Sequence, residues 1–266
     1  MKKMFLLLSS LVIASMLLAA CSAPAAPAAT AAPAANAMPD LGGKKITVAV
    51  ENAYPPFNSI DEASGKGVGW DYEALTEICK RINCVVEFKQ AAWDGIFPAM
   101  QAGEYDMLAD GASYTDERAK IVDFSKPYVL VAQVLLVRSD EKRTPEQMKT
   151  DAAAKIGTQI GTTNEMAAKK YFEGKDIQSF EDFGAAVLAL IAKDIDGVVV
   201  DMIPAADYVK TNDGKLMIGG DLTAGEPLAF AFPPKSTLTA AVNAALTAME
   251  ADGTLAALNK KWGLSK

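Results

Sequence analysis

The chain contains no histidine. That removes the Ser-His-Asp triad, the Cys-His nucleophile pair and every histidine-based zinc site in one step. Cysteine is nearly as scarce, three in 266 residues. One of them, Cys21, closes an N-terminal leader, and the other two cannot build a structural zinc centre alone. Any catalysis would rest on carboxylates, and no metal or cofactor is expected. Positive charge is in deficit as well: 26 Lys and Arg stand against 33 Asp and Glu, and loss of the leader, with two lysines and no acids, takes the net charge from −7 to −9. That sign argues against a nucleic-acid partner. Beyond the leader there is no apolar run long enough to span a membrane and no signalling domain.

What is present begins with the leader itself. Lys2 and Lys3 precede an apolar run over residues 4–18, and Leu18-Ala-Ala-Cys21 ends it. The pattern resembles the signal peptide of a bacterial lipoprotein, covering residues 1–20. The resemblance implies cleavage before Cys21, lipidation of its thiol and attachment at the cell envelope, in the periplasm or on the outer face of the membrane. Residues 21–43 then carry the lipidated cysteine and an Ala/Pro-rich stretch too poor in large apolar groups to fold, which reads as an extended tether. Folding is expected to begin near Lys44.

From there, strand and helix patterns alternate, as an α/β layered fold requires. The first half reads as strand 45–50, helix 71–82 opened by Asp71 as cap, strand 85–89, helix 96–102 and strand 106–109. A helix start comes next, with Thr115 as N-cap and Asp116 and Glu117 in its first turn. The apolar run 128–137 reads as one long strand able to cross from one lobe to another. The second half repeats the grammar: strand 155–158, helix 162–172, helix 183–192, strand 197–200 and helix 204–210. Strand 228–232 is the candidate return crossing, and helices within 238–262 are expected to dock on the first lobe. The expected organisation is therefore lobe 1 from residues 44–131, lobe 2 from 132–225, and a return to lobe 1 over 226–266. Cys79 and Cys84 fall at a helix end and the next strand start, where they could close a short bridge or remain as buried thiols.

Ligands of open α/β sheets bind beyond the carboxyl ends of the strands. That rule selects Glu51 and Tyr54, Trp93, the segment from Asp110 to Arg118, Gln159 to Thr163, and Val200 with Asp201. Arg118 is the oddest of these, a cation on the first turn of the expected helix, where it opposes the dipole. It pairs either with a surface acid or with an anionic ligand. A zwitterion entering such a cleft needs both its charges answered. A guanidinium can take a carboxylate in a two-pronged pair, with Ser113 and Thr163 adding donors, while Asp201 and the Gly111 carbonyl can receive an ammonium. Asp201 reads equally as a helix cap, and Tyr54 and Trp93 as core or rim aromatics.

Taken jointly the motifs resemble the family 3 extracellular solute-binding proteins. Glu51-Asn-Ala-Tyr-Pro-Pro-Phe57, Gly69-Trp-Asp71, Trp93-Asp-Gly-Ile-Phe-Pro-Ala99, Thr115-Asp-Glu-Arg118 through Asp123-Phe-Ser-Lys-Pro-Tyr128, Gly161-Thr-Thr163, Asp196-Gly-Val-Val-Val-Asp201 and Ala251-Asp-Gly253 carry it, over residues 44–263. The resemblance implies an α/β periplasmic-binding-protein-like fold of type II, two lobes joined by two crossover strands and closing about a hinge. It implies a monomer that captures a free polar amino acid for the permease of an ABC importer. Arg118, Ser113 and Thr163 match carboxylate binders, Asp201 and Gly111 ammonium binders, and Tyr54 and Trp93 aromatic walls. Glu51, Gln159 and Val200 match positions facing the ligand side chain. Asp110 departs from the small residue usual there and could pair with Arg118 or favour a cationic ligand. Glu51 with Asp110 points to arginine or lysine. Trp70 replaces a usual Phe, a packing change. A secreted dehydratase of the prephenate or arogenate type on the same fold, and a receptor feeding a sensor, are the alternatives.

Overall fold

The computed structural model describes residues 38–264, so the leader, Cys21 and most of the tether lie outside the described residues. Two five-stranded sheets form the body. In the first, Lys44–Val50 pairs parallel with Cys84–Gln90 on one side and Met107–Leu108 on the other. Ala231–Phe232 then joins antiparallel, next to Asp123–Phe124 at the edge. In the second, Ile156–Gln159 lies parallel between Ile177–Phe180 and Gly197–Asp201. Gln133–Arg138 and Leu216–Asp221 complete it antiparallel. The chain passes between the sheets twice, through Val129–Val131 and Glu226–Leu228, which pair antiparallel with each other. The expected single strand over 128–137 is thus two: its pairing partner changes at Ala132, whose carbonyl accepts the Met202 N–H at 2.8 Å instead.

The helix Trp70–Ile82 places Trp70, Ala74, Leu75, Ile78, Cys79 and Ile82 on one buried stripe, the spacing a helix needs to cover a sheet. Its start corrects the expected cap. Gly69 holds the N-cap position at φ 133°, where an added Cβ would sit 2.2 Å from the Phe57 carbonyl oxygen. Asp71 turns inward and accepts a hydrogen bond from Asn58 Nδ2 at 2.9 Å. Asn83, left-handed at φ 52°, ends the helix, and a disulfide between Cys79 and Cys84 ties it to the next strand with Cα atoms 4.5 Å apart. Replacing both cysteines with alanine is expected to cost about 2 kcal/mol, the loop-closure entropy of so short a ring. Urea unfolding checks this; an unchanged midpoint would contradict it.

Trp70 is fully buried and stacks on Tyr128 at 4.4 Å and Phe230 at 5.9 Å, the residues flanking the two crossing strands. Its indole N–H donates to Asn259 Oδ1 at 2.7 Å, fixing the last helix, Thr254–Lys261. The C-terminal helices do dock on the first sheet's helix, with Val242, Ala245, Leu246 and Met249 in one core with Leu75 and Ile78. Arg81 adds a bond to Asp252 at 2.7 Å.

The segment around Arg118 also differs from expectation. Thr115 Oγ1 does accept the Arg118 N–H at 3.1 Å, but only a single 3-10 turn forms there, Arg118–Lys120, because the chain enters the strand Asp123–Phe124 almost at once. So short a turn has little dipole for Arg118 to oppose. Its placement is explained by its contacts.

Candidate functional site

The strand-end loops deliver their residues to one narrow cavity between the sheets. Glu51, Tyr54, Trp93, Asp110, Gly111, Ser113 and Arg118 line it from the first lobe, and Gln159, Thr163 and Asp201 from the second. Val200 does not. In a strand successive side chains face opposite ways, so with Asp201 facing the cavity Val200 turns into the core with Val198 and Leu136, fully buried. Gly111, at φ 55°, is required by packing: a Cβ there would lie 2.4 Å from the Tyr54 ring.

Polar groups of the two lobes meet directly across this cavity. Gln159 Nε2 donates to Glu51 Oε1 at 2.7 Å, and the Ser113 and Thr163 hydroxyl oxygens stand 3.1 Å apart. Arg118 donates through Nη1 to the Ser113 carbonyl at 3.0 Å and through Nη2 to the Gly161 carbonyl at 3.2 Å. Its guanidinium carbon lies 4.3 Å from the Phe97 ring centre and 5.3 Å from that of Trp93, a stack that suits a planar cation. Two of its five N–H groups are thereby engaged, leaving others for an anion.

Asp201 occupies the N-cap position of the helix Met202–Thr211, yet its side chain makes no capping bond. It receives the Tyr54 hydroxyl instead, from the other lobe. Its Oδ1 is buried with no hydrogen-bond partner among the described residues, and so is Asn164 Oδ1 beside it in the cavity wall. Buried acceptors left open in this way favour a donor-rich ligand. At the first-lobe end, Asp110 accepts from Asn58 Nδ2 at 2.7 Å and from the Glu51 N–H at 3.2 Å, not from Arg118. Asn58 joins Asp110 to Asp71, so the acids form a linked chain running into the lobe.

Burial dominates their titration. It pushes Asp201 and Asp71 up to about 7, and loss of water together with mutual repulsion raises Glu51 and Asp110 as well. Arg118 is lowered to about 10 by burial, against the attraction of Glu226 and Asp201, and stays charged at neutral pH. Among the described lining residues Arg118 is the only cation, facing three acids, Glu51, Asp110 and Asp201, that burial biases toward the neutral form and that a cationic ligand would draw into the ionised one. This sets a pH dependence. Acids raised above their unfolded value near 4 hold protons in the folded state that the unfolded chain has released, so their contribution is present at low pH and lost as pH rises. Thermal midpoints of the unliganded protein should therefore fall as pH rises from about 5 to 8, a range through which Asp71 and Asp201, at about 7, release their protons. A midpoint that climbs across that window would contradict this.

Several participants are not legible in the sequence. Asn164 lines the cavity just beyond the selected stretch 159–163, Phe183 packs on Tyr54 at 5.6 Å, and Phe97 supports Arg118. Asn164 comes after Thr163 on the first turn of the helix Thr163–Tyr171, a position open to reading from the Thr162 cap; Thr162 Oγ1 accepts the Glu165 N–H at 3.0 Å. Thr162 and Glu165 have the spacing of a capping box, but Glu165 does not close one and accepts the Gly161 N–H at 2.9 Å instead. Gln133, which opens a strand of the second sheet, and Glu226, on a crossing strand, give no local signal at all.

Two sheet-based lobes, joined by paired crossing strands and enclosing a polar cavity, give the architecture of a two-lobed binding protein. The chain belongs to the bacterial extracellular solute-binding proteins, family 3, whose sequence pattern matches residues 46–265. It is similar to the L-cystine-binding protein TcyJ of Escherichia coli (strain K12), 29% identical over 218 residues and 82% of each chain. It is equally similar to ABC transporter arginine-binding protein 1 of the same organism, 29% identical over 224 residues, 82% of this chain and 90% of that one. A solved ancestral arginine-binding protein bound to arginine superposes with a TM-score of 0.76 at 36% identity, over 82% of this chain and 97% of that one. The fold is that of the type II periplasmic binding proteins, and the relatives are amino-acid-binding proteins rather than enzymes.

Proposed function

We propose that this protein is the substrate-binding component of an ABC importer, capturing a basic L-amino acid between its lobes and delivering it to a membrane permease. The observation that carries the reading is the placement of Arg118 and the open carboxylate oxygen of Asp201 on opposite lobes of one cavity, with Glu51 and Asp110 as further acids. Arg118, the Ser113 and Thr163 donors and the first-turn N–H groups of the helix Thr163–Tyr171 would hold the ligand's carboxylate. Asp201, Asn164 and the Gly111 carbonyl would hold its ammonium. Glu51, Asp110 and Gln159 would face its side chain, and Tyr54 and Trp93 would wall it. A ligand with a second positive charge offsets the surplus acids, and arginine-binding relatives support that choice.

In this reading the lobes divide as 44–131 with 226–266, and 132–225, and lipidated Cys21 anchors the protein to the envelope membrane through the Ala/Pro tether. A thermal-shift screen of the folded part against the twenty amino acids and common polyamines tests the function. A ligand that binds only the native state raises the midpoint by mass action, so arginine or lysine should stand out. A screen in which no amino acid shifts the midpoint would end the proposal. Incubation with prephenate should give no product, since turnover would restore the dehydratase alternative.

A further inference from the structure

Glu226 stands on one of the two strands that join the lobes, and its carboxylate bonds to two residues that line the cavity, Ser113 and Thr163. Its Oε1 accepts the Ser113 hydroxyl at 2.7 Å, Gln133 Nε2 at 3.0 Å and the Thr163 hydroxyl. Gln133 Nε2 also lies 3.2 Å from Thr163 Oγ1, so the cluster closes on itself. Ser113 comes from the first lobe and Thr163 from the second. Each hydroxyl has a single proton, and a proton donated to Glu226 is not offered to a second anion. The two hydroxyls that face the cavity near Arg118 are therefore already committed to a carboxylate that the chain itself supplies. The negative charge of Glu226 also acts on both Arg118 and Asp201.

We propose that Glu226 is an affinity-setting residue: a resident carboxylate that clasps Ser113 to Thr163 across the lobes and gives up their hydroxyls when a ligand's carboxylate enters. The inference rests on Arg118 marking the ligand's carboxylate end. Binding then exchanges one carboxylate for another at the same donors, with the resident one still close enough to repel the newcomer. Part of the ligand's interaction energy goes into that exchange. Closure without ligand is the other consequence, because the clasp joins the lobes through groups of this chain alone. A role for Glu226 confined to holding the two hydroxyls in place for the ligand makes the opposite prediction, since its loss would then weaken binding.

The test titrates L-arginine and L-argininamide calorimetrically into the wild-type protein, Glu226→Gln and Glu226→Ala, with thermal scans establishing that each variant is folded. Small-angle scattering reads lobe separation in the absence of ligand. Both variants should bind L-arginine about tenfold more tightly, since a like charge beside the ligand's carboxylate is gone. L-argininamide, with no carboxylate, should not gain, and both unliganded variants should have a larger radius of gyration than wild type. Weaker or unchanged L-arginine binding by the folded variants, or equal tightening for the amide, overturns the inference. So do unliganded variants as compact as the wild type. Failure of the wild type to bind any amino acid would count against the proposed function instead, and the scattering comparison would still decide whether Glu226 clasps the lobes.

Discussion

Arg118→Ala is expected to abolish most amino-acid binding, by ~2–5 kcal/mol or roughly 30- to several-thousand-fold in the dissociation constant. The guanidinium lies against Phe97 and Trp93 with Nη1 and Nη2 already oriented by the Ser113 and Gly161 carbonyls. Its remaining donors are held in place before a ligand arrives, so little rotamer entropy is left to lose on binding. Without it a carboxylate would enter a cavity whose other ionisable lining groups are acids. Arg118→Lys should recover little, because an ammonium cannot serve both carbonyls and present a fork to the ligand. Calorimetric titration of both variants checks this, and a dissociation constant unchanged in Arg118→Ala would remove Arg118 from the site.

Asp201→Asn is the second large effect, a loss of about two orders of magnitude in affinity with the fold intact, as expected for neutralising one partner of a buried charge pair. The structure separates the two readings of this residue. An N-cap aspartate typically contributes ~1 kcal/mol through its bond to the helix backbone, but Asp201 makes no such bond and accepts from Tyr54 instead. Burial lifts its carboxyl to about 7, so the ionised form is held at a cost in the unliganded protein. Asparagine keeps an acceptor for Tyr54 without that cost, and the thermal midpoint should hold or rise. A fall of many degrees with intact affinity would return Asp201 to a capping role. The same shift predicts that cationic ligands release protons on binding below about pH 8, read as a dependence of the calorimetric heat on buffer ionisation.

The cavity residues legible in the sequence are those in the loops that follow parallel strands, most directly the ones at the strand ends themselves. Glu51, Asp110, Gln159 and Asp201 each lie at or just beyond a strand's carboxyl end, where topology alone aims the chain at the crevice. Val200 escapes that rule because one step along a strand reverses the face, and which of two neighbours points inward depends on what the sheet packs against. Asp71 reads as a cap because acids favour helix starts; its partner Asn58 lies thirteen residues back, on a strand that local pattern does not tie to it. The helix expected after Thr115 is cut short by a strand that only the sheet's pairing stabilises. Glu226 is the extreme case, meeting Ser113 and Thr163 from far along the chain, so nothing short of the tertiary fold could join them.

At the centre stands the claim that a zwitterion is held with its carboxylate toward Arg118 and its ammonium toward Asp201. Calorimetric comparison of L-arginine with agmatine, the same molecule lacking only the carboxylate, tests it most directly. The account predicts binding of L-arginine and a loss of at least about a hundredfold for agmatine. Agmatine bound as tightly as L-arginine would contradict it.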